Sequence, residues 1–329
     1  MKKILITLLA VMVALTSIIT VSACGKGKDF SDQEYEFYVP DGAPALAIGS
    51  LIAENNQLDR KVNYHVVTAD TIGQNIKLNG DLGILPVNAS SKLFGSGEEF
   101  QMLGVVTHGN LFILTKTQIS GVTDLVGKVV AVAGQGNFMD LTLRLILKNN
   151  DIEYVTSNAV VEGKVAIRYF GAASEIIPAL KQNKIDTALL PEPAATTAQS
   201  KVGGLFVTDL QQVYGGGYPQ AVLVARKTMI EDKAFINAVI DAITENGNYL
   251  ANAQNVELAV NAINANVTAQ GREPSLVVAQ MSANVITNLN IRFEKAKSQK
   301  EKVKAYIEGL RGIDSDAVGV LNDAFFYGA

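Results

Sequence analysis

The side chains that could carry out chemistry in this chain are few, and their types favour binding over catalysis. The 329-residue sequence has two histidines, His65 and His108, and one cysteine, Cys24. A zinc site needs several His, Cys or carboxylate ligands together, and the sequence contains neither a His-Glu-x-x-His nor a Gly-x-Ser-x-Gly motif. It also contains no phosphate-binding Gly-Lys-Ser/Thr loop. We therefore predict no catalytic residue, no metal and no cofactor, and a protein that is not an enzyme.

Polar residues cluster instead in short loops that follow apolar runs. Glycine in such a loop lets the backbone approach a ligand closely, and open sheets bind ligands beyond the carboxyl ends of their strands. The candidate ligand-binding residues are Asp41, Gly42, Ala43, Thr68, Asn88, His108 and Asn110 in the first part of the chain, and Gln135, Gly136, Asn137, Glu192 and Tyr218 further on.

Each candidate loop also has a structural interpretation. The Gly134–Asn137 loop precedes a predicted helix whose N–H groups suit an anion, but no Lys or Arg stands beside it. Glu192 could bind an amine or favour a helix dipole, Tyr218 could stack on a ligand ring or pack in the core, and His108 could titrate near neutral pH. Loops poor in Arg and Lys favour a neutral or mixed-charge ligand over a strongly anionic one.

Cys24 lies at the end of an N-terminal export pattern. Two lysines precede an apolar run at residues 4–19, and the small residues Val21–Ala23 precede Cys24. This order is typical of a secretory signal, and the run is shorter than the ~20 apolar residues of a membrane span. The four residues Val21–Cys24 resemble a bacterial lipobox with valine in place of leucine. We predict a signal peptide at 1–23 and a lipid on Cys24; the alternative is an ordinary signal peptide with a chance cysteine.

The composition after the predicted signal peptide indicates a flexible tether followed by a globular body. Residues 24–33 are polar and glycine-containing, as flexible linkers are, so the folded body is predicted to begin near Glu34. The remaining ~300 residues suffice for two domains. Removing residues 1–23 removes two lysines and no acid, so the net charge changes from -4 to -4 - 2 = -6. This mild acidity argues against a nucleic-acid partner, which usually requires a basic face.

Strand and helix patterns alternate along the body, which predicts an α/β protein with sheets covered by helices. Strands are predicted at 35–39, 63–68, 82–86, 101–106, 111–115, 129–133, 167–170, 187–190 and 221–225. Helices are predicted at 45–54, 71–79, 89–94, 138–148, 173–182, 194–200 and 294–310. A glycine-rich segment at 214–219 interrupts the pattern, and the chain after Met229 is predicted to be mostly helical.

Four stretches in this order resemble a known family. They are VPDGAP at 39–44, VTDLVGKVVAV at 122–132, IIPALKQNKIDTA at 176–188 and LPEP at 190–193. The chain resembles the extracytoplasmic solute-binding lipoproteins of ABC importers, in the group that binds nitrate, sulfonates, taurine and thiamine-pyrimidine precursors. The motifs are more specific for the fold than for the ligand, so the identity of the solute stays open.

The resemblance implies a two-lobed, type II periplasmic-binding-protein fold with the ligand in a cleft between the lobes. Residues 34–115 and 219–329 would form lobe 1, and residues 116–218 would form lobe 2. Such proteins close on the ligand by hinge motion. The resemblance further implies a small-molecule ligand, a permease and an ATPase as partners, and a monomer on the outer face of a bacterial cell membrane, held by the lipid anchor alone.

Two other functions are compatible with this fold. Related eukaryotic proteins synthesise the thiamine pyrimidine with histidine and iron, but this chain has only two histidines and an export signal. A lipoprotein that senses a ligand and reports to a membrane receptor would have the same sequence features as an importer component.

Overall fold

The computed structural model describes residues 30–97 and 100–328. The predicted signal peptide, the predicted lipidation site Cys24 and residues 24–29 of the predicted tether lie outside the described residues. Among the residues that are described, no helix is both long and apolar enough to cross a membrane. The body from Glu34 onward forms one compact unit.

Short apolar segments of the body form strands, most of them buried on both faces. The described residues form β1 (Glu34–Pro40), β2 (Lys61–Val67), β3 (Leu82–Pro86), β4 (Phe100–Thr107), β5 (Leu111–Thr115), β6 (Val129–Ala133), β7 (Tyr154–Thr156), β8 (Val165–Phe170), β9 (Thr187–Pro191), β10 (Phe206–Asp209), β11 (Ala221–Arg226) and β12 (Ile291–Lys295). All five residues of β5 are buried, which is typical of strands with helices on both sides of the sheet.

Helices cover both faces of the strands. The same described residues form α1 (Ala43–Leu46), α2 (Gly49–Glu54), α3 (Ile72–Asn79), α4 (Val87–Gly95), α5 (Phe138–Asn149), α6 (Ala173–Lys181), α7 (Ala194–Val202), α8 (Leu210–Val213), α9 (Lys233–Leu250), α10 (Ala253–Ala269), α11 (Ala283–Asn288) and α12 (Ala296–Arg311). Side chains of Asp232 and Ser282 accept backbone N–H groups at the starts of α9 and α11, as N-cap residues do.

The strands form two six-stranded sheets. The first has the order β12-β4-β11-β3-β1-β2, and the second has the order β10-β5-β9-β6-β8-β7. The first sheet is parallel from β3 to β2 and antiparallel elsewhere, and the second is parallel from β9 to β7. We refer to the body around the first sheet as lobe 1 and to that around the second as lobe 2.

The position of β5 corrects the predicted lobe boundary. The family resemblance implied that residues 34–115 belong to lobe 1, but Leu111–Thr115 pairs with β9 and β10 in the second sheet. The chain therefore crosses between the lobes at residues 108–110, directly after β4, and not near residue 116. The pattern of a buried strand is the same in either sheet, so chain order alone did not show where the crossing falls. The return crossing lies between α8 and β11, at residues 214–220.

The C-terminal helix α12 joins the two lobes on one side. It packs on β4 and α4 of lobe 1 and on α5 of lobe 2. The hydroxyl groups of Tyr306 on α12 and Thr142 on α5 are 2.8 Å apart. Gly309 permits the close approach of the two helices, because a Cβ atom there would lie 3.1 Å from the methyl groups of Leu145. One hydrophobic core consequently runs from lobe 1 through α12 into lobe 2.

Candidate functional site

A cleft of about 550 Å³ lies where the loops of the two lobes face each other. Lobe 1 contributes residues that follow β1, β2 and β3 and one residue from a distant loop, and lobe 2 contributes residues that follow β6 and β9. The crossing segments form the floor with Asn110 and Gln220. The carboxyl ends of strands thus surround the cleft, as in other open α/β sheets that bind ligands.

The lobe 1 wall is built around Asp41, which directly follows β1. The Asp41 backbone N–H donates to the Val67 carbonyl of β2 at 2.9 Å, which holds the loop against the sheet. Its Oδ1 accepts the N–H of Gly42 at 2.8 Å, and its Oδ2 receives only a long 3.3 Å contact from the N–H of Ser275. Gly42 has φ of +98°, a value that L side chains rarely adopt. One carboxylate oxygen of Asp41 therefore retains capacity for a further partner.

Asp70 adds a second carboxylate to the same wall. The Thr68 hydroxyl, followed by the backbone N–H groups of Asp70 and Thr71, lowers the Asp70 pKa below its usual value, because hydrogen bonds favour the charged form. Thr68 itself does not line the cleft, contrary to the expectation that it contacts ligand. Its hydroxyl lies 2.9 Å from that of Thr71, so it organises the loop that carries Asp70.

The lobe 2 wall is built around Glu192, which directly follows β9. Its side chain is buried and accepts the N–H and hydroxyl of Thr196 at 3.0 and 2.7 Å. It also accepts the Asn288 side-chain amide of lobe 1 at 3.1 Å. Glu192 therefore serves the first turn of α7 and contacts both lobes.

The helix start at α5 is already occupied by protein groups. The Asn137 side chain accepts the Asp140 N–H at 3.1 Å and donates to the Ala133 carbonyl at 2.7 Å. The Asp140 carboxylate accepts the Gly136 N–H at 2.8 Å and the Tyr169 hydroxyl at 2.7 Å. The Gly134–Asn137 loop, a candidate anion site from the sequence, is thus capped by a carboxylate of the protein itself, and this disfavours a bound anion.

Two amide side chains at the floor and in lobe 1 present buried oxygens without a partner. The Gln220 Nε2 donates to Asn110 Oδ1 at 2.8 Å, and Asn110 Nδ2 lies 3.4 Å from the Glu192 carbonyl. Gln220 Oε1 and Asn88 Oδ1, by contrast, are buried and accept no hydrogen bond. Since nearly all buried polar groups in proteins are paired, these two acceptors suit a ligand or water that donates.

Seven of the twelve predicted binding residues line the cleft. They are Asp41, Gly42, Ala43, Asn88, Asn110, Asn137 and Glu192. Besides Thr68, the other four are His108, Gln135, Gly136 and Tyr218, which do not line it. Gln135 and Gly136 lie in the loop before α5, where the Gly136 N–H is held by Asp140.

Tyr218 and His108 require correction because both are fully buried. The Tyr218 hydroxyl donates to Gln211 Oε1 at 3.1 Å, and its ring stacks on Tyr306 at 5.6 Å, so it packs in the core beside the crossing. Burial, followed by the charge of Arg292, lowers the His108 pKa to about 4. The expectation that His108 titrates near neutral pH is therefore wrong.

Several cleft residues were missed from the sequence. Phe138 and Met139 have the spacing of ordinary helix core, and the five lining prolines, at 40, 44, 86, 191 and 193, were not among the predicted binding residues. Gln220 follows the glycine-rich break, which offered a weak signal. Ser275 lies far along the chain from every other lining residue, and nothing local marks it. Within residues 30–97 and 100–328, no group of three or more His, Cys, Asp or Glu side chains could hold a metal ion.

Comparisons with known proteins agree with this architecture. The model of the NMT1-like family matches residues 112–264, whereas no curated protein matches the chain. A solved structure described as an ABC transporter from Parabacteroides distasonis is 20% identical, with a TM-score of 0.71. The match covers 90% of this chain and 99% of the solved chain. The periplasmic aliphatic sulphonate binding protein SsuA from Escherichia coli is 17% identical, with a TM-score of 0.63. The match covers 84% of this chain and 93% of the SsuA chain.

These similarities define the class of the protein by its fold. The chain has the two-lobed α/β fold of periplasmic binding proteins, as predicted from the sequence. The ligand-binding component of an ABC-type import system from Staphylococcus aureus, solved with zinc bound, has the same fold at 11% identity, with a TM-score of 0.56. The match covers 91% of this chain and 99% of the solved chain. The predicted resemblance to binding proteins of ABC importers is thereby confirmed at the level of the fold.

Proposed function

We propose that this protein is the substrate-binding component of an ABC importer and holds a small organic solute between lobe 1 and lobe 2. The observation that carries the proposal is the 550 Å³ cleft, whose walls come from both lobes and meet at the carboxyl ends of their strands. A volume of this size suits a small molecule. In this function the ligand is bound and released unchanged.

Hydrogen bonds between the two lobes support a closing mechanism. Asn288 of lobe 1 donates to Glu192 of lobe 2 at 3.1 Å, and Thr197 of lobe 2 donates to Gln280 of lobe 1 at 2.9 Å. A ligand that contacts both walls favours the closed form through its additional contacts there. Tyr306 of α12 stacks on Tyr218 beside the return crossing, so the continuous core through α12 reaches the segments about which the lobes would close.

The finer parts of the proposal concern the membrane. We propose cleavage before Cys24, a lipid on that cysteine, a position on the outer face of a bacterial cell membrane, and a monomer that delivers ligand to a permease and an ATPase. Mass spectrometry of the membrane-extracted protein should show an acylated N-terminal cysteine. A mature chain that starts elsewhere with a free thiol would contradict the anchor.

The binding function is tested with full-length protein in detergent. Isothermal titration with candidate solutes should find one that binds the wild type and binds the Asp41→Ala and Glu192→Ala variants about 10- to 100-fold more weakly, since a lost charged hydrogen bond weakens binding by this order. Asp241→Ala, an exposed acid on α9, is the matched control and should bind normally. Recovery of chemically altered solute after incubation would contradict a pure binding function.

A further inference from the structure

We propose that the solute is a small organic cation, a protonated amine with an apolar body, and that the cleft is unsuited to anions. This inference rests on the proposed function and concerns the same cleft. It follows from the charges, the hydrogen-bond donors and the unpaired acceptors that line the walls.

Charge is the first observation. Three acidic side chains line the cleft, Asp41, Asp70 and Glu192, and no Lys or Arg is among the described residues that line it. Arg272, on the loop that carries Ser275, is directed instead to the Val66 carbonyl. A cleft that carries one sign of charge attracts the opposite sign, and its low-dielectric walls concentrate that field.

The occupation of several lining hydrogen-bond donors by protein groups is the second observation. Five of the lining residues are prolines, and proline has no backbone N–H. The N–H of Gly42 is taken by Asp41, and the loop before α5 and the first turn of α7 are served by Asp140 and Glu192. An anion such as a sulfonate needs several donors directed at its oxygens, and these groups already have partners.

The unpaired acceptors are the third observation. Asn88 Oδ1 and Gln220 Oε1 are buried without a donor, and Asp41 Oδ2 has only its 3.3 Å contact with Ser275. An ammonium group has three N–H donors and no acceptor, which complements a set of acceptors. The side chains of Phe138 and Met139 line the same cleft and would cover the apolar part of the ligand.

The test compares charge on a constant carbon skeleton. Full-length protein in detergent is titrated with a panel of primary alkyl and aryl amines, and with the sulfonates and alcohols of the same skeletons. At least one amine should bind, its affinity should fall with added salt because exposed charge pairs are screened, and its sulfonate should not bind. Asp41→Asn keeps an acceptor for the Gly42 N–H, so it tests charge without removing the loop contact, and should weaken amine binding about 10- to 100-fold.

The controls separate the ligand class from the binding function. Asp241→Asn should leave the affinity unchanged. Asp70 is exposed, so Asp70→Asn provides a second change of charge in the cleft at a position where the substitution should not prevent folding. Binding of a sulfonate in preference to its amine, or no binding by any amine of the panel, would overturn the ligand class. An amine whose affinity is unchanged in Asp41→Asn, Asp70→Asn and Glu192→Gln would show that it binds outside the cleft, and the proposed function itself would then fail.

Discussion

Replacing Glu192 with alanine tests how the two lobes are held at the rim of the cleft. The change removes the acceptor of two hydrogen bonds from Thr196 and one from Asn288. Hydrogen bonds to charged groups contribute about 1.5–3 kcal/mol each, and capping a helix start contributes about 0.5–2 kcal/mol. The Thr196 bonds are part of that capping and the Asn288 amide is half-buried, so these contributions overlap. We expect Glu192→Ala to lower the free energy of unfolding by about 2–4 kcal/mol.

The assay is urea unfolding of the ligand-free protein, followed by circular dichroism. Glu192→Gln retains one carbonyl acceptor and should lose less than alanine does, and Glu257→Ala, an exposed glutamate on α10, should match the wild type. A double-mutant cycle with Asn288→Ala isolates the contact between the lobes, for which we expect a coupling of about 0.5–1.5 kcal/mol. A Glu192→Ala variant within about 0.5 kcal/mol of the wild type would refute the role assigned to this carboxylate.

Three further predictions concern the loop after β1, the crossing and the helix that joins the lobes. Gly42→Ala should lower the free energy of unfolding by about 1–2 kcal/mol in urea titrations, because φ is +98° although a Cβ would meet nothing within 4 Å; an unchanged midpoint would argue against this backbone strain. The His108 pKa is lowered to about 4 in the folded protein, whereas it is about 6.5 in the unfolded chain. Between these two values the unfolded chain binds a proton on His108 and the folded protein does not. This contribution to stability is complete above pH 6.5 and is lost as the pH falls towards 4; the loss should be absent from the pH profile of His108→Gln. Tyr306→Phe keeps the ring but removes the 2.8 Å hydroxyl contact with Thr142 and should lower the free energy of unfolding in urea titrations by about 1 kcal/mol. An unchanged free energy of unfolding would contradict a stabilising role for this contact.

The secondary structure was predictable where periodicity is strong. The buried runs that form β3, β5 and β6 have the residue types and lengths of strands, and the amphipathic pattern of α5 was visible within one residue of its end. The weaker elements were missed or merged. The predicted helix at 45–54 is two helices, Ala43–Leu46 and Gly49–Glu54, and the strand Ile291–Lys295 lies in a region predicted to be helical. β12 is an edge strand with alternating exposure, so its hydrophobic signal is short and weak.

Candidate binding residues were predictable only as far as loops follow strands. Asp41, Asn88, Asn137 and Glu192 follow predicted strands and all line the cleft. Tyr218 was predicted from its place in the glycine-rich segment between the lobes, yet its ring is buried against Phe138 and Tyr306. A loop position predicts where a backbone lies, but the direction of a side chain depends on what packs around it.

The sequence by itself determined the alternation of strands and helices and the loops from which a binding site could be built, because each of these depends on neighbouring residues. Only the tertiary structure decided which sheet receives β5 and how Ser275 reaches Asp41 across 234 positions of sequence. It also decided that Asn288 contacts Glu192 across the lobes. A residue pattern shows which face of a helix or strand is buried, whereas the packing of the whole chain determines which other element covers that face.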